Sequence, residues 1–242
     1  MDWQDEAFVL SAARFGEGDA VLEALTRAHG RHLGLVKGGM SRTKRPVLQT
    51  GNRLSVEWKA RLSDHLGRYE AEPLRAYASL ALDSAPALAA LTAASAVASA
   101  CLPEREPHAA IFEGFGVLME AIAFGDPVVA AAIYVKWEAG LLQDLGFGLD
   151  LSRCAVSGTR DDLAFVSPRS GRAVNRAAAG DYASRLLRLP AFLLGSQAGD
   201  PDAAALADGF RLTGHFLAQS VLAPHGRDLP AARGHYVDLA TR

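Results

Sequence analysis

Arg53-Leu54-Ser55-Val56-Glu57-Trp58-Lys59-Ala60-Arg61 alternates without a break. Leu54, Val56, Trp58 and Ala60 fall on one side, and the charged residues and Ser55 fall on the other. A period of two marks a β-strand with one buried and one solvated face, and it assigns Trp58 to the core. Working outward, apolar runs at 6–15, 21–26, 32–36 and 68–74 supply four more strands. His29-Gly30-Arg31 is the turn into the third of them. Lys37-Gly38-Gly39 opens a loop that reaches about Pro46. Five short antiparallel strands, with no helix long enough for a parallel crossover, predict a small closed barrel. An OB-fold and an SH3-like barrel both fit that count.

Beyond Pro73 the pattern becomes helical. Ser84 and Pro86 suit a helix start, with Pro tolerated in the first turn. A second helix is predicted at 108–124. Asp126 and Pro127 cap a third that runs to Leu145, where Gly146 and Gly148 end it. Residues 150–175 lose helical periodicity, apart from a short strand at Leu163–Val166. Further helices are predicted at 177–189 and 201–222, followed by an unpatterned tail from Ala223. A chain of 242 residues is long for one core and comfortable for two.

The formal charge is −2, from 25 Lys+Arg and 27 Asp+Glu. So small a total argues at first against nucleic acid as a partner. Its distribution argues the other way. Residues 1–26 hold one cation, Arg14, and six anions, whereas residues 27–75 hold eleven cations and four anions. Lys37, Arg42, Lys44 and Arg45 cluster in the Gly- and Ser-containing loop, and the outward face of the 53–61 strand continues the track. Clustered Lys and Arg neutralise phosphates whatever the base sequence, releasing counterions. Few aromatics are available for stacking (Phe15, Trp58, Tyr69), which favours a binder of the backbone.

Other classes find less support. Two cysteines, Cys101 and Cys154, exclude a disulfide-rich scaffold. The first ten residues carry three carboxylates and no cation, unlike a signal peptide. The 20 uncharged residues between Asp83 and Glu104 include nine Ala and few large apolar side chains, which suits a packed helix better than a membrane span. No zinc-protease, nucleophile-elbow or phosphate-loop motif occurs. A hydrolase or transferase with a small barrel and helical lid is the alternative, with Glu104, Glu106 and His108 as its acid/base candidates.

Several stretches resemble the RecO family of bacterial DNA repair proteins. They are Phe15-Gly-Glu-Gly-Asp-Ala-Val-Leu22, Leu25-Thr-Arg-Ala-His-Gly30, Val36-Lys-Gly-Gly-Met-Ser-Arg-Thr-Lys44, Leu48-Gln-Thr-Gly51 and Tyr134-Val-Lys-Trp-Glu-Ala-Gly-Leu-Leu-Gln-Asp-Leu-Gly-Phe147. The resemblance runs in order along essentially the whole chain. It implies an α+β, multidomain protein: a five-stranded OB-fold β-barrel at 1–75, then an all-helical domain at 76–242. It implies no enzyme, no catalytic residue and no cofactor. What it implies instead is a cytoplasmic, nucleoid-associated recombination mediator of the RecF pathway, without membrane attachment. Such a mediator binds ssDNA and dsDNA, anneals complementary strands, binds RecR and the C-terminal tail of the single-strand-binding protein SSB, and helps load RecA on SSB-coated ssDNA. The DNA-binding candidates are Arg31, Lys37, Arg42, Lys44, Arg45, Arg53, Lys59 and Arg61. The resemblance places the SSB-tail receptor on the helical domain at Phe112, Phe115, Lys136, Leu141 and Leu142, with Lys136 where the family has an Arg. Many family members hold zinc after this helix. Here Cys154 stands alone, and Ser167-Pro-Arg-Ser-Gly171 offers no second pair, so residues 150–175 are expected to form a degenerate, metal-free, zinc-finger-like loop.

Overall fold

A computed structural model describes residues 1–62, 65–195 and 201–242. The chain divides into two compact units, Met1–Phe124 with Pro230–Arg233, and Gly125–Leu229 with Gly234–Arg242.

In the first unit, β1 (Asp2–Phe15), β2 (Asp19–Thr26), β3 (Gly30–Val36), β4 (Arg53–Lys59) and β5 (Arg68–Arg75) close a barrel in the ring order β1-β2-β3-β5-β4. This is compatible with the OB-fold. β1 starts upstream of the apolar run that marks it in the sequence, and its length closes the ring. Its first half pairs with β4 from Asp2↔Lys59 to Phe8↔Arg53, and its second half pairs with β2 from Ala7↔Thr26 to Phe15↔Asp19. A bulge between Val9 and Ser11 lets one strand serve both neighbours, because the extra residue bends and coils it. The parallel pair β3–β5 (Leu35↔Arg68, Val36↔Tyr69) completes the closure. Ala7, Val9, Leu22, Leu54, Val56, Trp58 and Tyr69 fill the interior.

Three helices complete this unit: α1 (Tyr77–Leu80), α2 (Ala85–Cys101) and α3 (Ala109–Phe124). Ser84 caps α2 by accepting the Ala87 N–H at 3.3 Å. Ala89, Ala90, Ala93, Ala94 and Ala98 of α2, with Cys101, are buried. No helix among the described residues is long and apolar enough to cross a membrane. Phe8 on β1 meets Phe112 and Phe115 of α3, ring centroids 5.0 and 5.2 Å apart.

The second unit begins with α4 (Pro127–Asp144), where Asp126 accepts N–H bonds from Val128 (2.8 Å) and Val129 (3.4 Å). It also holds α6 (Ala203–Phe216), and Tyr134, Phe210 and Tyr236 form one aromatic cluster there. Glu138 is fully buried and accepts the Thr213 hydroxyl at 2.5 Å. A three-stranded sheet, β7 (Ala173–Asn175), β6 (Leu163–Val166) and β8 (Leu187–Arg188), makes a separate small layer.

Two expectations are corrected here. Residues 177–189 are not one helix. α5 spans only Arg176–Ala179, a 3-10 turn covers Gly180–Arg185, and the chain then extends so that β8 pairs with β6. Sheet pairing and Gly180 outweigh the local helical preference. The tail is not patternless either, since α7 (Ala231–Ala240) buries Tyr236.

Candidate nucleic-acid interface

The basic loop at 37–50 is tied down rather than free. Gly38 N donates to Asp19 Oδ1 at 2.7 Å, Met40 N to the Gly18 carbonyl at 3.0 Å, and Gly51 N to the Val9 carbonyl at 2.8 Å. Gly38 takes a φ of +65°, which a side chain would oppose, and a Cβ on Gly39 would lie 2.7 Å from that of Ala20. At the far end Asn52 acts as a buckle. Its amide donates to the carbonyls of Pro46 (3.0 Å) and Val47 (3.1 Å), and its Oδ1 accepts the Ala78 N–H. Leu48 is buried in the barrel core. Apolar anchors and backbone bonds thus fix where the cations project.

The eight cations expected to meet DNA fall into two groups. Lys37, Arg42, Arg45 and Arg61 are exposed, and no carboxylate among the described residues pairs with them. The other four have partners. Arg31 Nη1 donates to Glu23 at 2.7 Å and its Nε to the Leu102 carbonyl at 2.8 Å, and Ser99 also bonds Glu23. Arg53 forks onto Glu6 and lies over the Phe8 ring, 5.6 Å from its centroid. Lys59 binds Glu57 at 2.7 Å, and that hydrogen bond and charge hold its ammonium above the usual lysine range. Lys44 donates to the Lys37 carbonyl at 3.0 Å and lies 3.8 Å from Glu70.

A groove of about 400 Å³ runs beside the loop, lined by Ala12, Arg14, Met40, Arg45, Gln49 and Thr50, with Leu48 beneath. Arg14 is exposed near the end of β1, next to Phe15, which is 54% exposed. Sequence reasoning left Arg14 out, because it is the lone cation of an acidic segment. Its signal was its place just before the first turn, which the barrel folds against the loop. Trp58 and Tyr69 are buried, as the alternation of the 53–61 strand implies for Trp58.

The residues expected to hold a partner's tail belong to both compact units. Lys136 is exposed on α4, and Leu141 and Leu142 on the same helix are fully buried in the second unit. Phe112 and Phe115 belong to the first unit, where their rings are buried against Phe8.

Cys154 lies in a cage that needs no metal. Its Sγ accepts N–H bonds from Ser157 (3.4 Å) and Asn175 (3.3 Å). Burial pushes the thiol up, but the bonds from Ser157, Asn175 and Val156 outweigh it and bring it down to about 6. Asn175 also donates to Ser157 and Thr159, both at 3.1 Å, tying the loop across its width. One thiolate does not fit a tetrahedral structural zinc, and no group of three or more His, Cys, Asp or Glu among the described residues could hold a metal.

Comparison with known proteins agrees with the fold. The N-terminal model of recombination protein O matches residues 1–77, and its C-terminal model matches residues 83–228. The family boundary therefore lies before α2, whereas the compact units divide after Phe124. The chain is 51% identical to the DNA repair protein RecO of Cereibacter sphaeroides over 243 residues, covering 100% of this chain and 99% of that one. It is 48% identical to the DNA repair protein RecO of Rhodospirillum rubrum and 46% identical to that of Agrobacterium fabrum. Each match covers all of this chain, and 97% and 94% of theirs. The chain belongs to the recombination protein O family of DNA repair proteins.

Proposed function

We propose that this chain is a non-catalytic recombination mediator that binds ssDNA and dsDNA by their backbones and anneals complementary strands. In this reading it works with RecR to load RecA onto SSB-coated ssDNA, at the nucleoid in the cytoplasm. The carrying observation is the set of exposed cations Lys37, Arg42 and Arg45 on a pinned loop, with Arg14 of β1 lining the groove beside it, none of them paired with a carboxylate among the described residues. Contacts to phosphate ignore base sequence, which is what annealing of arbitrary strands requires. Lys136 supports capture of the acidic SSB tail by offering an exposed ammonium on α4, as a point charge rather than a bidentate fork. In this reading Leu141 and Leu142 set the helix's packing, and Phe112 and Phe115 shape the barrel side of the first unit.

The test is DNA binding of Lys37→Glu/Arg42→Glu across a salt series. The slope of log affinity against log salt should flatten by roughly 0.7 to 0.9 for each phosphate contact removed, alike for every sequence. An unchanged slope would refute the loop as the contact surface. Lys136→Glu should weaken binding of an SSB-tail peptide in fluorescence anisotropy, and intact binding would remove Lys136 from the receptor.

A further inference from the structure

A second cleft, of about 430 Å³, opens elsewhere in the first unit, walled by Trp3, His29, His32 and Trp58 with Asp2 and Arg105 among its lining. Its rings are ordered. Trp3 stacks on His29 with centroids 4.0 Å apart and planes within 7°, and on Trp58 at 5.6 Å within 17°. His32 meets Trp3 and Trp58 edge-on at 5.2 and 4.8 Å. Trp3 and His29 are only half-buried, so this is a stack with an accessible end.

Polar groups around the rings are held in place. Burial lowers the pKa of His32, favouring the neutral ring, and its Nδ1 lies 3.0 Å from the Leu33 carbonyl. With the proton on Nδ1 for that bond, Nε2 is left as an acceptor. Asp5 holds His29 by accepting from Nδ1 at 3.1 Å, and it also accepts the Ala28 and Glu6 N–H groups at 2.7 and 2.8 Å. Arg105 is set by its backbone N–H on the Arg31 carbonyl at 2.8 Å, by its guanidinium on the His65 carbonyl at 3.2 Å, and by its ion pair with Glu104 at 3.4 Å. A cleft with stacked rings and an imidazole acceptor suits a flat heteroaromatic ring.

We propose that this cleft takes one unpaired base of a single strand, stacked on the Trp3–His29 pair. The assignment rests on the DNA-binding reading above and adds something the basic loop lacks. Phosphate contacts serve single and double strands alike, whereas a stacking cleft admits only a base free of its pair. It would give a backbone binder a preference for single strands and a hold on the base before annealing.

The test compares His29→Ala, Trp3→Leu and Trp3→Phe with the unaltered chain. The probes are a labelled single strand, the same strand with abasic residues, and its duplex. His29→Ala keeps the Asp5 bonds to Ala28 and Glu6, so it should fold, with an unchanged melting midpoint. His29→Ala and Trp3→Leu should each lose about tenfold in affinity for the single strand, by the scale of base–aromatic stacking. Both should keep duplex and abasic affinity, and Trp3→Phe should restore most of the loss. Equal losses on all three probes, or no loss on the single strand from His29→Ala, would overturn the cleft. An unaltered chain that binds neither strand form would overturn the DNA-binding reading and the cleft together. Binding that responds to Lys37→Glu/Arg42→Glu but not to His29→Ala would overturn the cleft alone.

Discussion

Arg42 and Arg45 on the 37–50 loop face no carboxylate among the described residues, whereas Arg53 at the start of β4 is held by Glu6 and Lys59 at its end by Glu57. Both regions belong to one barrel, and in sequence both read as one basic track. The difference lies in what each cation must give up. An exposed, unpaired guanidinium exchanges only water and counterions for phosphate. A paired one must first release its carboxylate, which then repels the incoming strand. Local charge count is therefore a poor guide to phosphate affinity, and whether a carboxylate already holds the cation decides it.

The largest effect is predicted on the loop. Lys37→Glu/Arg42→Glu should weaken ssDNA and dsDNA about 10- to 100-fold at low salt, by the scale of lost phosphate contacts, and leave the melting midpoint near its starting value. Arg14→Glu should follow, with a loss of about tenfold. If Arg14→Glu is silent, the groove beside the loop is not part of the track. Arg31→Ala should act on stability rather than affinity. Arg31 is largely buried with Glu23, and leaving that carboxylate with fewer partners should cost about 1–3 kcal/mol, read as a lowered midpoint in urea unfolding. The smallest effect is predicted on β4. Arg53→Gln should change stability by at most about 1 kcal/mol, because its pair with Glu6 is partly exposed. Lys59→Gln should leave DNA affinity within about twofold, as expected for a solvated pair. A loss at Lys59 equal to that at Arg42 would erase the distinction between loop and strand.

Much of the fold was legible. The alternation of the 53–61 strand placed Trp58 inside, and Ser84 and Asp126 announced their helices by cap chemistry that acts within three residues. The reading failed where partners distant in sequence decide. Leu187 and Arg188 form a strand because β6 lies beside them, against a local pattern that favours helix. At the candidate interface, clustering pointed to Lys37, Arg42 and Arg45, which are exposed, but it could not show that Glu6 and Glu23 reach from the neighbouring strands to Arg53 and Arg31. It also passed over Arg14, and it read His29 only as a turn residue. The stack of His29 on Trp3 depends on the β1–β4 pairing that begins at Asp2, four residues before the apolar run that marks the strand in sequence.

The most direct measurement is the salt dependence of single-strand affinity for three chains: the unaltered protein, Lys37→Glu/Arg42→Glu, and Arg53→Gln/Lys59→Gln. The slope should flatten by about one to two in the loop variant and stay unchanged in the strand variant. Equal flattening in both variants, or flattening in the strand variant alone, would contradict the distinction between loop and strand.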